Sequence, residues 1–256
     1  MSGSMIYRLR VSAAVDPHMD RFRRAMTASQ GIWDNRGYNH TAGFHGIPGW
    51  YCWHHQYNPR TSVQARLFLP WHRAYLWDLE QKLQDQEPRA GLPWWDWTVQ
   101  RDIPAAYQSA PLDGFAARLP QGGQMVPYHT NRTPGLGGRL ASETEIAAAL
   151  NISDWATFSD RLQDHHDAVH VWGGGSMADP SFASYDPIFH AHHCMIDRIW
   201  YLWQLRYGDG GIPGSLLDLP LDPFLFRVRE VLDVQTLGYE YAVTAAEIPA
   251  PTEEDS

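Results

Sequence analysis

The stretch Asp186-Pro187-Ile188-Phe189-His190-Ala191-His192-His193-Cys194-Met195-Ile196-Asp197 decides how this chain is read. Three histidines stand at the head of an apolar segment, and Asp197 follows His193 by one helical turn. Asp186-Pro187 marks a helix start, since proline suits the first helical positions. The apolar pattern predicts a helix running through Trp203 and ending near Gly208. Neutral imidazole is a ligand for copper, zinc, iron and nickel, so a helix that spends buried positions on several of them is a candidate metal holder. Asp197 has two readings: a surface ion pair with Arg198, or a carboxylate fixing a buried imidazole or arginine. Trp200, Tyr201 and Trp203 make a solvated face a poor fit and favour the second.

A second histidine group lies just upstream, His165-His166-Asp167-Ala168-Val169-His170. The pattern predicts a helix from Ser153 through His170, closed by Gly173-Gly174-Gly175. His166 and His170 then share one face, able to bind the same ion. Such a pair alone is weak evidence. One reading is a mononuclear zinc hydrolase with Asp167 beside the first ligand, but that pattern needs glutamate as general base. It also leaves most of the other histidines unused.

Further upstream, a helix predicted over Leu67 to Gln86 and stopped by Pro88 carries His72. Before it stand His45, in Phe44-His45-Gly46-Ile47-Pro48, and the run Cys52-Trp53-His54-His55. These supply a second group of three imidazoles from two loop positions and one helix. Two sets of three imply two ions, each with an open coordination position, and copper is the first metal to name for such sites.

The remaining elements are predicted from the same signals. A helix is expected from about Pro17 to Gln30, with Asp16 as its cap, and a short one from the capping box Ser142-Glu143-Thr144-Glu145 to about Leu150. Residues 31–63 read as loop, and 89–139 as an ordered functional loop region. The expected fold is mainly α: a four-helix bundle enclosing the metal site, with long loops and few short strands. The net charge of −9 argues against nucleic acid or an anionic membrane as partner. No apolar run reaches transmembrane length. Two cysteines exclude a disulfide scaffold, and thirteen histidines favour imidazole chemistry. With no export signal in view, a cytoplasmic location is the default, export by a partner protein being the alternative. Residues 1–5 look like a cloning scar and 244–256 like a disordered tail, leaving 6–243 as one catalytic domain.

The residues now carry a resemblance. The chain resembles the type 3 copper proteins: tyrosinases, catechol oxidases and molluscan haemocyanins. Asp186 to Asp197 matches the family's second-copper signature, which makes His193 the ligand and removes His192 from that role. His166 and His170 match its upstream pair. Phe68 to Arg73 matches the first-copper motif and gives His72. Pro93-Trp94-Trp95-Asp96-Trp97 is similar to a further family motif, and Tyr239-Glu240-Tyr241 to the pair of tyrosines that meets an N-terminal arginine, Arg8 or Arg10 here.

The resemblance implies the ligand set His45, His54, His72, His166, His170 and His193, with two copper ions and O2 as co-substrate. It implies oxidation of o-diphenols (catechols) to o-quinones, with ortho-hydroxylation of monophenols as an added step. Within the same site, o-aminophenols are an alternative substrate. The alternative class is haemocyanin-like O2 carriage, which needs a covering domain; the short stretch after Tyr241 leads us to expect an accessible site and hence an enzyme. The expected partners are a small phenol and a copper-delivery protein; the oligomeric state is open.

Cys52 stands where fungal and molluscan members carry a cysteine–histidine thioether, which makes Cys52–His54 a candidate cross-link, against an ordinary buried cysteine. Three departures from the pattern stand out. His54 and His72 are eighteen residues apart where nine is usual, and the nine-residue position is Val63, so residues 55–65 read as an inserted loop. His190 replaces an aromatic near the site wall, either as a structural residue or as a candidate substrate contact. Asp167 replaces the asparagine common in hydroxylating members, with no glutamate nearby, and is the candidate proton acceptor.

Overall fold

A computed structural model describes residues 5–11, 17–52, 64–209 and 211–247. The architecture is mainly α, with four long helices. They are α1 (Pro17–Gln30), α3 (Phe68–Gln84), α5 (Trp155–Gly173) and α6 (Ile188–Tyr207), of which α3, α5 and α6 carry clustered histidines. Two shorter helices accompany them, α2 (Tyr38–Ala42) and α4 (Glu143–Leu150). Helices α3, α5 and α6 pack against one another, and α1 lies against α3. No helix among the described residues is long and apolar enough to cross a membrane.

Local chemistry explains the ends of these helices. Ser142 and Glu145 form the expected capping box of α4. Helix α5 starts two residues later than Ser153, because the Asp154 carboxylate takes the Thr157 N–H at 2.9 Å and so acts as its cap. Helix α3 begins at Phe68 after a single 3-10 turn over Gln64–Leu67, and ends at Gln84, two residues short of the predicted end. At the head of α6, the Asp186 carboxylate accepts the Ile188 N–H at 3.2 Å and holds the Arg132 guanidinium at 2.7 Å. Asp16 lies outside the described residues.

Two regions read as loop hold regular structure. The first contains α2. The second contains a hairpin, β2 (Ala116–Gln121) with β3 (Gln124–His129), antiparallel with Leu119 opposite Val126. Only Ala117 and Leu119 of β2 are buried, so the strand lacks the β-branched run that announces one. The other sheet is a parallel pair, β1 (Ile6–Leu9) with β4 (Tyr239–Ala242), in which Arg8 stands opposite Tyr241.

That register builds a buried charge cluster between α3 and α6. The Arg8 guanidinium grips Glu80 on α3 through two bonds of 3.0 and 2.9 Å and stacks 3.5 Å over the Tyr239 ring. Asp197 of α6 accepts from Arg73 Nε at 2.6 Å, from the Tyr239 hydroxyl at 2.7 Å and from the Tyr241 hydroxyl at 2.6 Å. Its partners are therefore Arg73 and Arg8, rather than Arg198 or a histidine. Burial alone would raise the Asp197 carboxyl; the two arginines and two hydroxyls outweigh it and hold it below the usual range. Arg73 follows His72 in sequence, and Asp197 lies one turn past His193, so this ion pair ties one histidine-bearing helix to the other.

Candidate metal centre

On α5, His166 and His170 are one turn apart, as a four-residue spacing requires. Helix α6 brings His193 against them. The three Nε2 atoms converge: His166 to His170 at 3.0 Å, His166 to His193 at 3.2 Å and His170 to His193 at 3.4 Å. Nitrogens bound about 2.0 Å from a shared ion lie roughly 3.3 Å apart, so this spacing fits a single metal.

The opposite ring nitrogens hold the donors in that orientation. His170 Nδ1 donates to the Met177 carbonyl at 2.8 Å, and His166 Nδ1 donates to the Asp167 carboxylate at 2.8 Å. Each Nε2 then presents a lone pair to the centre. Burial pushes the His170 imidazole down to about 4, with the Met177 bond opposing it. His193 is lowered well below its ordinary value, first by burial and then by His72, His166, His192 and His170. His170 and His193 are therefore neutral at pH 7, with lone pairs converging in a buried space that suits a cation.

His192 is the fourth imidazole of this group, all four offering a ring nitrogen within 4.8 Å of one another. It stacks on His166 at 5.1 Å rather than joining the tight triplet, and it touches Trp97 at 6.2 Å. A step of one residue turns a helix by about 100°, which separates His192 from His193.

The second group is His45, Cys52 and His72, all buried and again within 4.8 Å. His72 Nδ1 donates to the Phe68 carbonyl one turn back at 2.8 Å, which directs Nε2 inward. Cys52 Sγ lies 3.7 Å from that Nε2. The two groups abut: the His72 and His193 rings stack at 4.1 Å, 11° from parallel. Phe68 wedges between His72 and His166, while Phe189 faces His45, His170 and His193. His54, His55 and Val63 lie outside the described residues, and with them the Cys52–His54 cross-link.

A cavity of about 190 Å³ reaches both groups, lined by His45, Asp167, His170, Val171, Met177 and Ala183 among others. The Asp167 side chain is 45% exposed at this cavity while its Oδ1 binds His166. His190 does not line it. It packs edge-on against Tyr38 at 5.6 Å and lies 5.5 Å from Tyr75. The expectation of a wall residue is corrected here: one turn nearer the start of α6 than His193, His190 falls short of the centre and enters the core. Two groups that the sequence reading passed over position the donors, the carbonyls of Phe68 and Met177. The first is legible as the residue four before His72. The second depends on the turn after α5.

A helical protein with two abutting groups of buried imidazoles, each able to hold a metal ion, has the form of a binuclear metal site. The family model "Common central domain of tyrosinase" matches residues 35–144 and 132–206. The chain belongs to the tyrosinase family of type 3 copper proteins. It is 30% identical over 190 residues to a tyrosinase of Streptomyces glaucescens, covering 61% of this chain and 69% of that one. It is 28% identical over 274 residues to the G-type haemocyanin, units Oda to Odg, of Enteroctopus dofleini, covering 93% of this chain but 9% of that protein. A functional unit of octopus haemocyanin has the same fold, with a TM-score of 0.72 and 26% identity over 92% of this chain and 68% of that one. The family implies a binuclear copper site, and the two histidine groups fit one.

Proposed function

We propose that this protein is an oxidase that uses O2 to convert o-diphenols to o-quinones. The observation that carries this reading is the cavity, which borders His45 of one group and His170 of the other. A ring entering it meets both halves of the site at once. Its walls, Val171, Met177, Pro180 and Ala183, are apolar and suit an aromatic ring.

His45 and His72, together with His54, would hold one copper, and His166, His170 and His193 the other. When bound, the pair supplies two-electron exchange between the diphenol and O2. Two catechols give four electrons and four protons to one O2, leaving as two o-quinones with two waters. The chain's own part is to orient the ring and handle protons. Asp167, which lines the cavity beside His166, would take a phenolic proton.

The kinship with haemocyanins supports a second reading, reversible O2 carriage. The copper-loaded protein should be assayed in parallel with a monophenol, its catechol and an o-aminophenol. Quinone release from the catechol is expected. Reversible O2 uptake with no turnover of the catechol overturns the oxidase reading in favour of carriage.

A further inference from the structure

A second cleft, of about 390 Å³, shares no lining residue with the cavity at the histidines. Its walls include Trp33, Phe44, Tyr51, Arg118, Met125 and Tyr185. The size lies in the ordinary range for small-molecule sites, and the aromatic lining is their usual composition. Trp33 is 45% exposed and Met125 is 57% exposed, so two large apolar side chains face water at its mouth.

The charged group of this cleft among the described residues is Arg118, whose guanidinium carbon stands 4.0 Å over the Trp33 ring. No carboxylate lines the cleft among the described residues. Asp34, next to Trp33, is taken by Arg36 at 2.7 Å, and Lys82, 5.1 Å from the Phe44 ring, is taken by Asp78 at 2.7 Å. His40, whose pKa is lowered by burial and then by Lys82, adds no charge at neutral pH. In a chain of net charge −9, a cation facing an aromatic cleft without an acidic neighbour there is an informative exception.

The platform is also held in place. The Asn39 side chain brackets the Arg118 backbone, accepting its N–H at 2.8 Å and donating to its carbonyl at 3.0 Å. The Tyr185 hydroxyl donates to the Ile47 carbonyl at 2.6 Å, and Phe44 meets Tyr51 edge-to-face at 6.0 Å. A ligand therefore meets an ordered surface and forfeits little affinity to ordering it.

We propose that this cleft binds planar aromatic carboxylates. The ring would lie among Trp33, Phe44 and Tyr51, and the carboxylate would take the Arg118 guanidinium, whose fork of donors matches its geometry. The site is separate from the metal centre, although Phe44 adjoins His45 in sequence.

The test is calorimetric titration of the copper-loaded full chain with 2-naphthoate, in the presence and absence of saturating azide as a metal-directed ligand. One site of unchanged affinity in azide is expected. Trp33→Ala and Arg118→Gln, both at exposed positions, should each weaken it about tenfold or more, and the neutral 2-naphthylmethanol should bind about tenfold more weakly than the acid. Displacement of naphthoate by azide, unchanged affinity in both variants, equal binding of the alcohol, or no binding up to millimolar concentration would each overturn the proposal.

Discussion

At the residue scale, the orientation of His72, His166 and His170 depends on what the second ring nitrogen touches. Asp167 is the clearest case, because its carboxylate fixes the His166 tautomer from a half-exposed position. Asp167→Ala should leave the fold intact and lower copper affinity about 10–100-fold. Asp167→Asn, which keeps an acceptor oxygen, should lose less. Competition against a chromophoric chelator measures both, and equal affinity in Asp167→Ala and the parent would remove this role. His190 makes the opposite prediction, one about stability. Burial pushes it down to about 3, with a smaller opposing contribution from the Ser184 backbone. The unfolded chain protonates this residue near 6.5, while the folded chain stays neutral until about 3. Its contribution to stability is thus complete above pH 6.5 and is lost as pH falls toward 3, at about 1.4 kcal/mol per pH unit. His190→Phe should flatten the decline by that amount. Urea unfolding of the metal-free proteins between pH 6.5 and 4 checks it, and parallel curves would count against a buried neutral His190.

At the element scale, helices α3 and α6 carry the two halves of the site and are joined by the Arg73–Asp197 pair. Removing the carboxylate leaves Arg73 and Arg8 buried without their shared counter-charge. Asp197→Ala should cost about 3–5 kcal/mol of stability in urea unfolding. It should also lower copper occupancy, since the helices that oppose His72 and His193 lose their tie. A loss below about 1 kcal/mol would mean that the cluster is not what joins them. The elements themselves were unequally legible. The four long helices show in the sequence because a 3.6-residue apolar period and capping side chains are local signals. The hairpin does not show, because Ala117 and Leu119 are its only buried β2 positions and its other face is solvated. Helix α2 is too short, at five residues, for a period to register.

At the scale of the whole molecule, two groups of buried lone pairs face each other across the stacked rings of His72 and His193. Folding brings them together against their mutual repulsion, so a cation that binds only the folded chain stabilises it by mass action. Copper at a hundred times its dissociation constant should add about 2.7 kcal/mol per site. The expected result is a melting temperature that rises with copper and falls back when a chelator removes it. An unchanged melting temperature would argue against metal binding at these histidines. The same convergence joins distant parts of the chain: His45 from a loop, His72 from α3, His166 and His170 from α5 and His193 from α6.

What the sequence determined by itself was the donor type, the helical registers and the pairing of His166 with His170, because a four-residue spacing on a helix is a local fact. It also marked His72 and the segment from Asp186 to Asp197, through motifs similar to a known family. Tertiary structure alone decided the rest. It brought His193 of α6 against His166 and His170 of α5, sent His190 into the core, and selected Arg8 over Arg10 for the tyrosines and Asp197. Those outcomes depend on how each helix is rotated about its axis and how β1 registers with β4, and packing between distant segments sets both.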